Sequence, residues 1–389
     1  MNRSYDVIVI GLGAMGSAAA CELARRGHRV LGLDRWRGPH AFGSSHGRTR
    51  IIRQAYYEHP LYVPLVRRAY HRWAELKRET GRSLLRITGG LMLGAADGVL
   101  VCGARASART HGLAFEELAG AEIRRRFPAL QAPDESAGIL EPQAGVLFPE
   151  QCIEAFLSLA GARGAELQFD EPALEWRIEG EGVAVSTAGG VYRAGRLILA
   201  AGPWTGGLLN RTRLRLSVER QVALWFTPAR APERFGPDRL PVFLWEWAPD
   251  RFFYGIPDLG DGFKVARHHE GETTEPDTVR REVGVHEVEQ VRDLLGQYLP
   301  DAGGALRDTA VCLYTNTPDG HFVLDFHPHH PQVVVASPCS GHGFKFASVI
   351  GEILADLAIG GSSGFDLTPF SARRAALQPV IPSGARDLA

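Results

Sequence analysis

The first 34 residues constrain the fold more than any other part of the chain. An apolar run, Asp6–Ile10, leads into Gly11–Gly16, which reads Gly-Leu-Gly-Ala-Met-Gly, and a helix-like stretch and a second apolar run follow up to Asp34. The first glycine permits a tight turn, the second lets the backbone approach a pyrophosphate, and the third lets the helix pack closely against the sheet. Free N–H groups at the helix start attract phosphates, and a carboxylate at Asp34 can bind ribose hydroxyls. The segment predicts a βαβ unit that binds a dinucleotide.

Two other interpretations of this segment are weaker. Arg3 followed by an uncharged run from Val7 to Cys21 resembles a signal peptide, but Asp6 interrupts the basic start. A transmembrane helix would need roughly 20 apolar residues, and the run is shorter than that. The dinucleotide unit is preferred because the glycines lie between an apolar strand and a helix, which is the context that the motif requires.

Composition indicates a globular protein without a nucleic-acid or membrane partner. The 389 residues are 45% hydrophobic and 22% charged, with a net charge of −1, so no basic surface is expected. This length predicts two domains. The cysteines lack Cys-x-x-Cys spacing, which argues against a disulfide framework or a zinc site and predicts a cytoplasmic location. They are Cys21, Cys102, Cys152, Cys312 and Cys339.

Lysine is rare in this chain, so the position of each lysine is informative about function. Only three of the 43 basic residues are lysines, namely Lys77, Lys264 and Lys345. Arginine would serve equally well on a solvated surface, whereas a compact ammonium with a tunable pKa is harder to replace. For Lys264, a strand position that faces solvent and a buried ammonium with a function are both compatible with the sequence. Lys345, beside a glycine-rich turn, favours a function, and Lys77 is expected to be solvated.

The order of predicted elements indicates an α/β fold with two interleaved domains. Nucleotide-type strands and helices occur at the start, in the middle and at the end, and strand-rich segments lie between them. The expected architecture is a Rossmann-type dinucleotide-binding domain with an inserted antiparallel-sheet substrate domain. We assign residues 1–84, 150–215 and 310–389 to the first domain and residues 85–149 and 216–309 to the second.

The histidine-rich positions of the chain are not expected to form a metal site. Asp325 with His327, His329 and His330 could supply ligands, but the neighbouring prolines indicate a surface turn, and no second ligand group has a known spacing. In the pair His268-His269, neighbouring strand residues should face opposite sides, so one ring is expected to face solvent.

Several further motifs resemble one enzyme family. They occur in the same order as in monomeric sarcosine oxidase and N-methyltryptophan oxidase, members of the D-amino-acid oxidase superfamily, and the resemblance runs from residue 5 to about residue 375. The motifs that carry it, besides the glycine fingerprint, are Gly47–Arg53, Tyr254–Pro257, Cys312–Thr315, Pro318–Phe322 and Ser340–Phe346.

The resemblance implies a flavoenzyme that oxidises secondary amino acids, N-methyl or cyclic. FAD would be attached covalently through the sulfur of Cys312, which on its own would pass for a small buried hydrophobe. A hydride equivalent would pass from the substrate to the flavin, the resulting imine would hydrolyse, and O2 would reoxidise the flavin and give H2O2. The close relatives are monomers, and the partners implied are a small-molecule amine and O2.

The resemblance also implies roles for individual residues. Arg53 and Lys345 would bind the substrate carboxylate, with Tyr254 and Gly341 lining the same pocket. The catalytic set would be Lys264, which would activate oxygen through its charge, together with His268, Tyr254 and Arg50. The residues expected to hold FAD are Gly11, Gly13, Ala14, Met15, Gly16, Asp34, Arg35, Ser44, Thr49, Gly202, Cys312, Gly341, His342, Gly343 and Lys345.

Some positions depart from the family pattern, and two rival functions stay open. Arg48 replaces an acid, Pro338-Cys339 replaces a glycine and a large apolar residue, and Trp245 and Trp247 add bulk in the substrate-domain sheet. Together these changes put the substrate, not the chemistry, in doubt, because they could reshape the pocket for cyclic or aromatic amines. One rival is a dehydrogenase of the same fold that passes electrons to another acceptor. The other is a nucleotide-binding protein without redox chemistry.

Overall fold

The strands of the described residues form two large sheets and one small sheet. The computed structural model describes residues 4–209, 212 and 214–378, so parts of the first predicted domain (residues 1–3, 210, 211, 213 and 379–389) lie outside it. The strands are β1 (Ser4–Ile10), β2 (Val30–Leu33), β3 (Arg50–Ile52), β4 (Leu85–Ile87), β5 (Gly90–Ala95), β6 (Glu116–Ala119), β7 (Ser136–Glu141), β8 (Gly145–Leu147), β9 (Glu166–Gln168), β10 (Glu175–Glu179), β11 (Gly182–Thr187), β12 (Gly190–Leu199), β13 (Ser217–Phe226), β14 (Val242–Ala248), β15 (Arg251–Ile256), β16 (Phe263–His268), β17 (Leu306–Asn316), β18 (Val323–His327) and β19 (His330–Ser337). The α-helices are α1 (Ala14–Arg25), α2 (Tyr62–Thr80), α3 (Val99–Thr110), α4 (Gly120–Arg126), α5 (Pro149–Ala162), α6 (Val285–Tyr298) and α7 (Ala347–Gly360).

The first sheet is built around β1, in the order β10-β11-β12-β1-β2-β9. β12, β1, β2 and β9 run parallel, β19 joins β12 in parallel, and β10, β11 and β18 are antiparallel to their neighbours. Val7 and Val9 face one core, while Ile8 and Ile10 face another. Because β1 is buried on both faces, its sequence is a continuous apolar run instead of an alternating one.

The turn between β1 and α1 follows the geometry that the glycines predicted. Gly11 has a φ of 89°, in the left-handed region, and its N–H donates to Leu33 O at 2.8 Å. A Cβ on Gly16 would lie 1.7 Å from Gly11 O, so any side chain there would push α1 away from the sheet. Helix α1 then packs against α5 and α7.

The second sheet has the order β17-β13-β16-β15-β14-β5-β7-β6 and is antiparallel except between β14 and β5. Leu244, Tyr254 and Ala266 face a cavity, and the alternate residues Trp245 and Phe253 pack in the apolar core on the other face. Period-two alternation thus separates a cavity-lining face from an aromatic core.

The third sheet, β3-β8-β4, is short and combines segments from both predicted domains. Its strand β3 carries Arg50 and ends immediately before Arg53, so pairing with β8 fixes where these two arginines leave the sheet. None of the helices in the described part of the chain combines the length and the apolar character that a membrane span requires.

The pairing of β17 bears on the domain division. Residues 306–316 pair with β13 of the second sheet, although the sequence placed residues from 310 onwards in the first domain. We therefore propose the interleaved two-domain division with this boundary moved to residue 317, since the hydrogen bonds of β17 to β13 belong to the second sheet.

Candidate functional site

A cavity of about 560 Å³ lies where the first sheet meets the second. Ile10, Asp34 and Ala200 line it at the carboxyl ends of β1, β2 and β12, and Tyr254 and His268 line it from the second sheet. Ligands of open α/β sheets bind at the carboxyl ends of the strands, and small-molecule sites have volumes of about 300–1,000 Å³. The position and the size therefore suit a small-molecule or cofactor site.

The cavity brings together almost every residue that the sequence assigned to the site. Only Gly16 and Lys264 of that set do not line it: Gly16 lies against β1, and Lys264 lies behind the cavity wall. The residues that line it are Gly11, Gly13, Ala14, Met15, Asp34, Arg35, Ser44, Thr49, Arg50, Arg53, Gly202, Tyr254, His268, Cys312, Gly341, His342, Gly343 and Lys345.

The nucleotide end of the cavity offers an uncapped helix start. Helix α1 begins after Gly13 without a side-chain cap and with no acidic residue in its first turn. A Cβ on Gly13 would meet nothing closer than the Ser45 hydroxyl, at 4.0 Å, so open space adjoins these N–H groups. The Asp34 carboxylate accepts bonds from Leu12 N (2.6 Å) and Trp36 N (2.9 Å), which fixes it at the end of β2. This donor set and this space fit the pyrophosphate and ribose of a dinucleotide.

Cys312, on β17, presents an ionisable thiol to the same cavity. Arg50 Nη2 donates to its Sγ at 3.3 Å, and His46 Nε2 lies 3.5 Å from it. Burial alone would raise the pKa of the thiol, but Arg50 and then His46 outweigh burial and lower the pKa to about 6. At neutral pH Cys312 is therefore mostly thiolate, which is the nucleophilic form of cysteine.

Cys339 lines the same cavity in the opposite state of ionisation. Desolvation raises the pKa of the Cys339 thiol to about 11, so this side chain stays protonated at neutral pH. The two cysteines thus differ in nucleophilicity although both face the same space.

The loop that leads into β3 and Arg50, residues 47–49, is held from two sides. Glu150 Oε1 accepts bonds from the N–H groups of Gly47 (2.8 Å) and Arg48 (3.0 Å). From the other side, Lys264 Nζ donates to Gly47 O at 2.7 Å and to Thr49 O at 3.0 Å. The loop therefore cannot shift without losing bonds to a buried ammonium and to a carboxylate.

Lys264 is buried, with 1% of the residue exposed, so the interpretation in which it faces solvent is wrong. Burial, followed by the positive charge of Arg50, lowers the pKa of Lys264 to about 7. Its ammonium also lies 4.8 Å from the ring centroid of Trp225. An amine that is fully charged only below a pH of about 7 thus lies directly behind the cavity wall formed by Thr49 and Arg50.

Two cations and one carboxylate meet at another part of the cavity. Arg53 Nη2 donates to both carboxylate oxygens of Glu58, at 2.6 and 2.7 Å. Lys345 Nζ donates to His342 O at 2.7 Å and lies 3.4 Å from the Tyr56 hydroxyl. Burial, and after it the charge of Arg53, lowers the pKa of Lys345 to about 7. When Lys345 is protonated, this cluster has one positive charge more than it has negative charges.

His342 holds the turn that carries Lys345. Its Nε2 lies 3.1 Å from Gly320 O, which can only accept, so Nε2 bears the proton and Nδ1 accepts from the Tyr56 hydroxyl at 2.6 Å. Burial lowers the pKa of His342 to about 3. The imidazole is therefore neutral and orients Tyr56, the ring under the Lys345 ammonium.

Neutral polar groups complete the pocket. His268 Nδ1 lies 3.2 Å from the Tyr314 hydroxyl. Burial, followed by the charge of His269, holds the pKa of His268 well below its usual value, and burial raises the pKa of Tyr254 to about 12. His268 and Tyr254 are therefore uncharged near neutral pH, so they offer hydrogen-bonding groups and shape to the pocket but no charge.

His269 departs from the expected strand geometry. Its φ of 58° turns the side chain back, so its ring lies 4.2 Å from the ring of His268 (centroid to centroid) instead of on the opposite side. The His269 side chain is 37% exposed, so it is still the partner that meets solvent. Because a Cβ on Gly341 would lie 2.7 Å from His269 Nε2, this fold-back also requires the absence of a side chain at 341.

The positions that depart from the family pattern have separate outcomes. Arg48 pairs with Asp308 and lies over Trp225, away from the main cavity. The expectation that Trp245 reshapes the pocket is wrong, because its ring packs in the aromatic core. Trp247 lies under Arg251, 4.0 Å from its guanidinium carbon. Pro338 and Cys339 do line the cavity, so they are the departures from the family pattern that can contact a bound ligand.

The histidine-rich turn has a structural explanation. The Asp325 carboxylate accepts bonds from the Ser371 hydroxyl (2.7 Å) and Ala372 N (2.9 Å), and the His327 ring stacks on His330. In the part of the chain that the structure describes, no three His, Cys, Asp or Glu side chains are grouped as metal ligands would be.

Four residues that touch the site were not identified from the sequence. His46 immediately precedes the Gly47–Arg53 motif, Glu58 follows it closely, and Tyr314 lies within the Cys312–Thr315 motif, so proximity to a motif was the available signal. Nothing in the sequence pointed to Glu150, because its partner Gly47 lies 103 residues earlier in the chain.

Comparison with known proteins decides the family. A protein-family model described as FAD dependent oxidoreductase, DAO, matches residues 6–357, nearly the whole described chain. The chain belongs to this family of FAD-dependent oxidoreductases. FAD is accordingly the dinucleotide of this family, and the uncapped start of α1 and the adjoining space fit its pyrophosphate.

Individual relatives agree with this family. The chain is 44% identical to monomeric sarcosine oxidase of Streptomyces avermitilis, over 98% of this chain and 100% of the relative. It is 35% identical to N-methyl-L-tryptophan oxidase of Salmonella typhimurium, over 95% and 99%. Among solved structures it resembles the open form of NikD, an unusual amino acid oxidase essential for nikkomycin biosynthesis, with a TM-score of 0.83, 28% identity and coverage of 95% and 97%.

Proposed function

We propose that this FAD-dependent amine oxidoreductase oxidises secondary amino acids, N-methyl or cyclic, and carries its FAD covalently through Cys312. One observation supports this most: a single cavity holds a cysteine with a lowered pKa and, beside the buried pair Arg53 and Lys345, room for an anion. Relatives named sarcosine oxidase and N-methyl-L-tryptophan oxidase support the substrate class.

The part of the cavity around Arg53, Glu58 and Lys345, which we assign to the substrate and call the substrate end, has a charge that matches one carboxylate. Glu58 neutralises one of the charges of Arg53 and Lys345, so a single positive charge is left for the substrate anion. Arg53 offers a planar fork and Lys345 a point charge, and together they would fix both the position and the direction of the carboxylate.

The same charge balance favours a substrate whose amine is neutral. Once the carboxylate is bound, an ammonium would be an unpaired charge beside His268 and Tyr254, both uncharged near neutral pH. Oxidation requires a lone pair on nitrogen, so the pocket would select the form that reacts. The chemistry that FAD supplies when bound is acceptance of a hydride equivalent from the carbon next to this nitrogen, with O2 as the proposed final acceptor and H2O2 as product.

Lys264 is the residue that we assign to the oxygen step. Its ammonium lies behind Thr49 and Arg50, where it would stabilise negative charge that develops on O2 in the cavity. We propose that the enzyme works as a cytoplasmic monomer with a small-molecule amine and O2 as its partners. The alternative is a dehydrogenase that passes electrons to a different acceptor. Formation of H2O2 during amine oxidation in air would exclude it.

The proposed function is tested with pairs of amines that differ only in the carboxylate. Sarcosine, N-methyltryptophan and proline should bleach the flavin absorbance without air and release one H2O2 per amine in air. The matching amines without a carboxylate should react at least about tenfold less efficiently, because a hydrogen bond to a charged group contributes about 1.5–3 kcal/mol. If these pairs react equally, or if no amine bleaches the bound flavin, the proposal is wrong.

The affinity for a carboxylate should fall as the pH rises through about 7. Lys345, with a pKa of about 7, is an ammonium below that pH and loses its charge above it, so the attraction for an anion is present on the acid side and lost on the alkaline side. A carboxylate without an amine, such as propionate, keeps substrate ionisation out of the measurement. Its dissociation constant, followed by the flavin spectrum, should rise about tenfold between pH 6 and pH 8.

Lys345→Arg is the control for this pH dependence, because arginine stays charged throughout. The dissociation constant of this variant should be flat across the same interval. An equal pH dependence in the variant and the parent would assign the titration to another group.

A further inference from the structure

The segment between β16 and α6, residues 269–284, reaches from the second sheet to the nucleotide end of the cavity. At its tip, Asp277 Oδ1 accepts bonds from Arg35 Nη1 at 2.5 Å and from Trp204 Nε1 at 2.9 Å. Arg35 follows β2, and Trp204 follows β12, so they stand on two different walls of the dinucleotide site. One carboxylate thus joins both walls from outside the first sheet.

Arg281 makes a second connection from the same segment. Its Nη2 donates to Phe42 O at 2.6 Å, and its Nη1 lies 3.2 Å from both Ala41 O and Val311 O. Ala41 and Phe42 belong to the loop that follows β2, and Val311 precedes the cofactor-attaching Cys312 of the proposed function. Arg281 therefore ties that loop to β17.

The parts that these two residues join form an aromatic cluster at the cavity. The Trp36 ring lies 4.7 Å from Phe42, 4.9 Å from Trp204 and 5.1 Å from His40, centroid to centroid. Arg35 lies over Trp36 at 4.8 Å. Trp36, His40 and Trp204 all line the cavity, so movement of the cluster would change access to it.

The base of the segment is fixed while its tip is exposed. Arg220, 3% exposed, donates to the carbonyls of Arg280 and Glu282, both at 2.7 Å. In contrast, the side chains of Arg35 and Asp277 are 46% and 57% exposed. Exposed ion pairs are weak, so the tip can detach while the base stays in place.

We propose that residues 269–284 form a clasp that closes the nucleotide end of the cavity over FAD, with two catches: Asp277 at the exposed tip and the side chain of Arg281 on the fixed base. The clasp controls how fast FAD enters before the bond to Cys312 forms and, where that bond is absent, how fast FAD leaves. The clasp rests on the FAD site of the proposed function but not on which amine is oxidised. Closing joins Arg35, Trp204 and the 41–42 loop, and release of both catches frees the aromatic cluster to open.

The experiment measures FAD release in a Cys312→Ala background, where no covalent bond can hold the flavin. Asp277→Ala and Arg281→Gln are introduced singly and together, and release of bound FAD is followed by the recovery of flavin fluorescence after dilution. Each single variant should release FAD several-fold faster than the background protein, and the double variant about tenfold faster or more, which corresponds to about 1.4 kcal/mol.

Matched controls come from the same segment. Glu275→Ala removes a carboxylate two residues from Asp277 and keeps the backbone carbonyl of Glu275, which accepts bonds from Thr274 and Thr278. Arg280→Gln removes a guanidinium next to Arg281 that bonds to Glu287 and Glu282 instead of to the 41–42 loop. Both controls should release FAD at the background rate.

A second measurement avoids the Cys312 substitution. Protein produced without flavin, with Cys312 intact, is mixed with FAD, and binding is followed by quenching of flavin fluorescence. The catch variants should take up FAD faster than the parent and than the controls. If catch and control variants release and take up FAD at equal rates, the clasp is overturned even when amine oxidation is normal. If the catch variants exchange FAD faster but the protein oxidises no amine, the clasp is kept and the proposed function is rejected.

Discussion

Replacing Cys312 by serine is expected to move all of the flavin from the acid-precipitated pellet to the supernatant. The proposed bond needs a thiolate, which Arg50 and His46 produce by lowering the thiol pKa to about 6. A serine hydroxyl is not ionised by the same neighbours and offers no comparable nucleophile. The absorbance of pellet and supernatant gives the result directly, and the mass of the intact chain should fall by one FAD.

Cys339→Ser is the matched control, since it makes the same atomic change in the same cavity. Because the pKa of Cys339 is raised to about 11, its thiol is protonated, and the variant should keep its flavin in the pellet. Release of flavin by the Cys339 variant, or a parent chain without added flavin mass, would contradict attachment at position 312.

Lys264→Met should slow the reaction with O2 by about 10²–10³, the usual cost of removing one preorganised electrostatic group. Bleaching of the flavin by amine under anaerobic conditions should survive, because Lys264 lies behind the wall of Thr49 and Arg50 and not among the substrate-end residues. Stopped-flow measurement separates the two half-reactions. Peroxide output in air should fall with the oxygen step.

Lys77→Met is the control for this substitution, because Lys77 is exposed on α2 and should change neither half-reaction. A different outcome has a specific meaning here. If Lys264→Met slows amine-dependent bleaching as much as reoxidation, the main task of Lys264 is to hold the carbonyls of Gly47 and Thr49, and with them Arg50, in place.

The parts of the fold and site that the sequence predicted are those encoded by neighbouring residues. The turn of Gly11–Gly16 and the acid at Asp34 were identified because each requirement is local: a left-handed φ, a close approach and a strand end. The scarcity of lysine likewise pointed to Lys264 and Lys345, which both proved to be buried.

Features that depend on long-range pairing could not be predicted in the same way. Whether Lys264 faces solvent depends on which face of β16 is covered, and that is set by distant strands. Glu58 was missed because only the folded pocket shows that the charge of Arg53 needs a partner. The fold-back of His269 requires a left-handed backbone conformation at a residue other than glycine, which no local sequence pattern predicts.

The position of β17 has a consequence for biogenesis. Arg50 and His46 lie 262 and 266 residues before Cys312 in the chain. In a nascent or unfolded polypeptide they are not beside the sulfur, so the thiol has its usual pKa. Only when the late-synthesised strand docks beside the early loop does this sulfur become an anion at neutral pH. The proposed attachment of the flavin, which needs this anion, would therefore act only on molecules in which β17 has already paired beside Arg50 and His46.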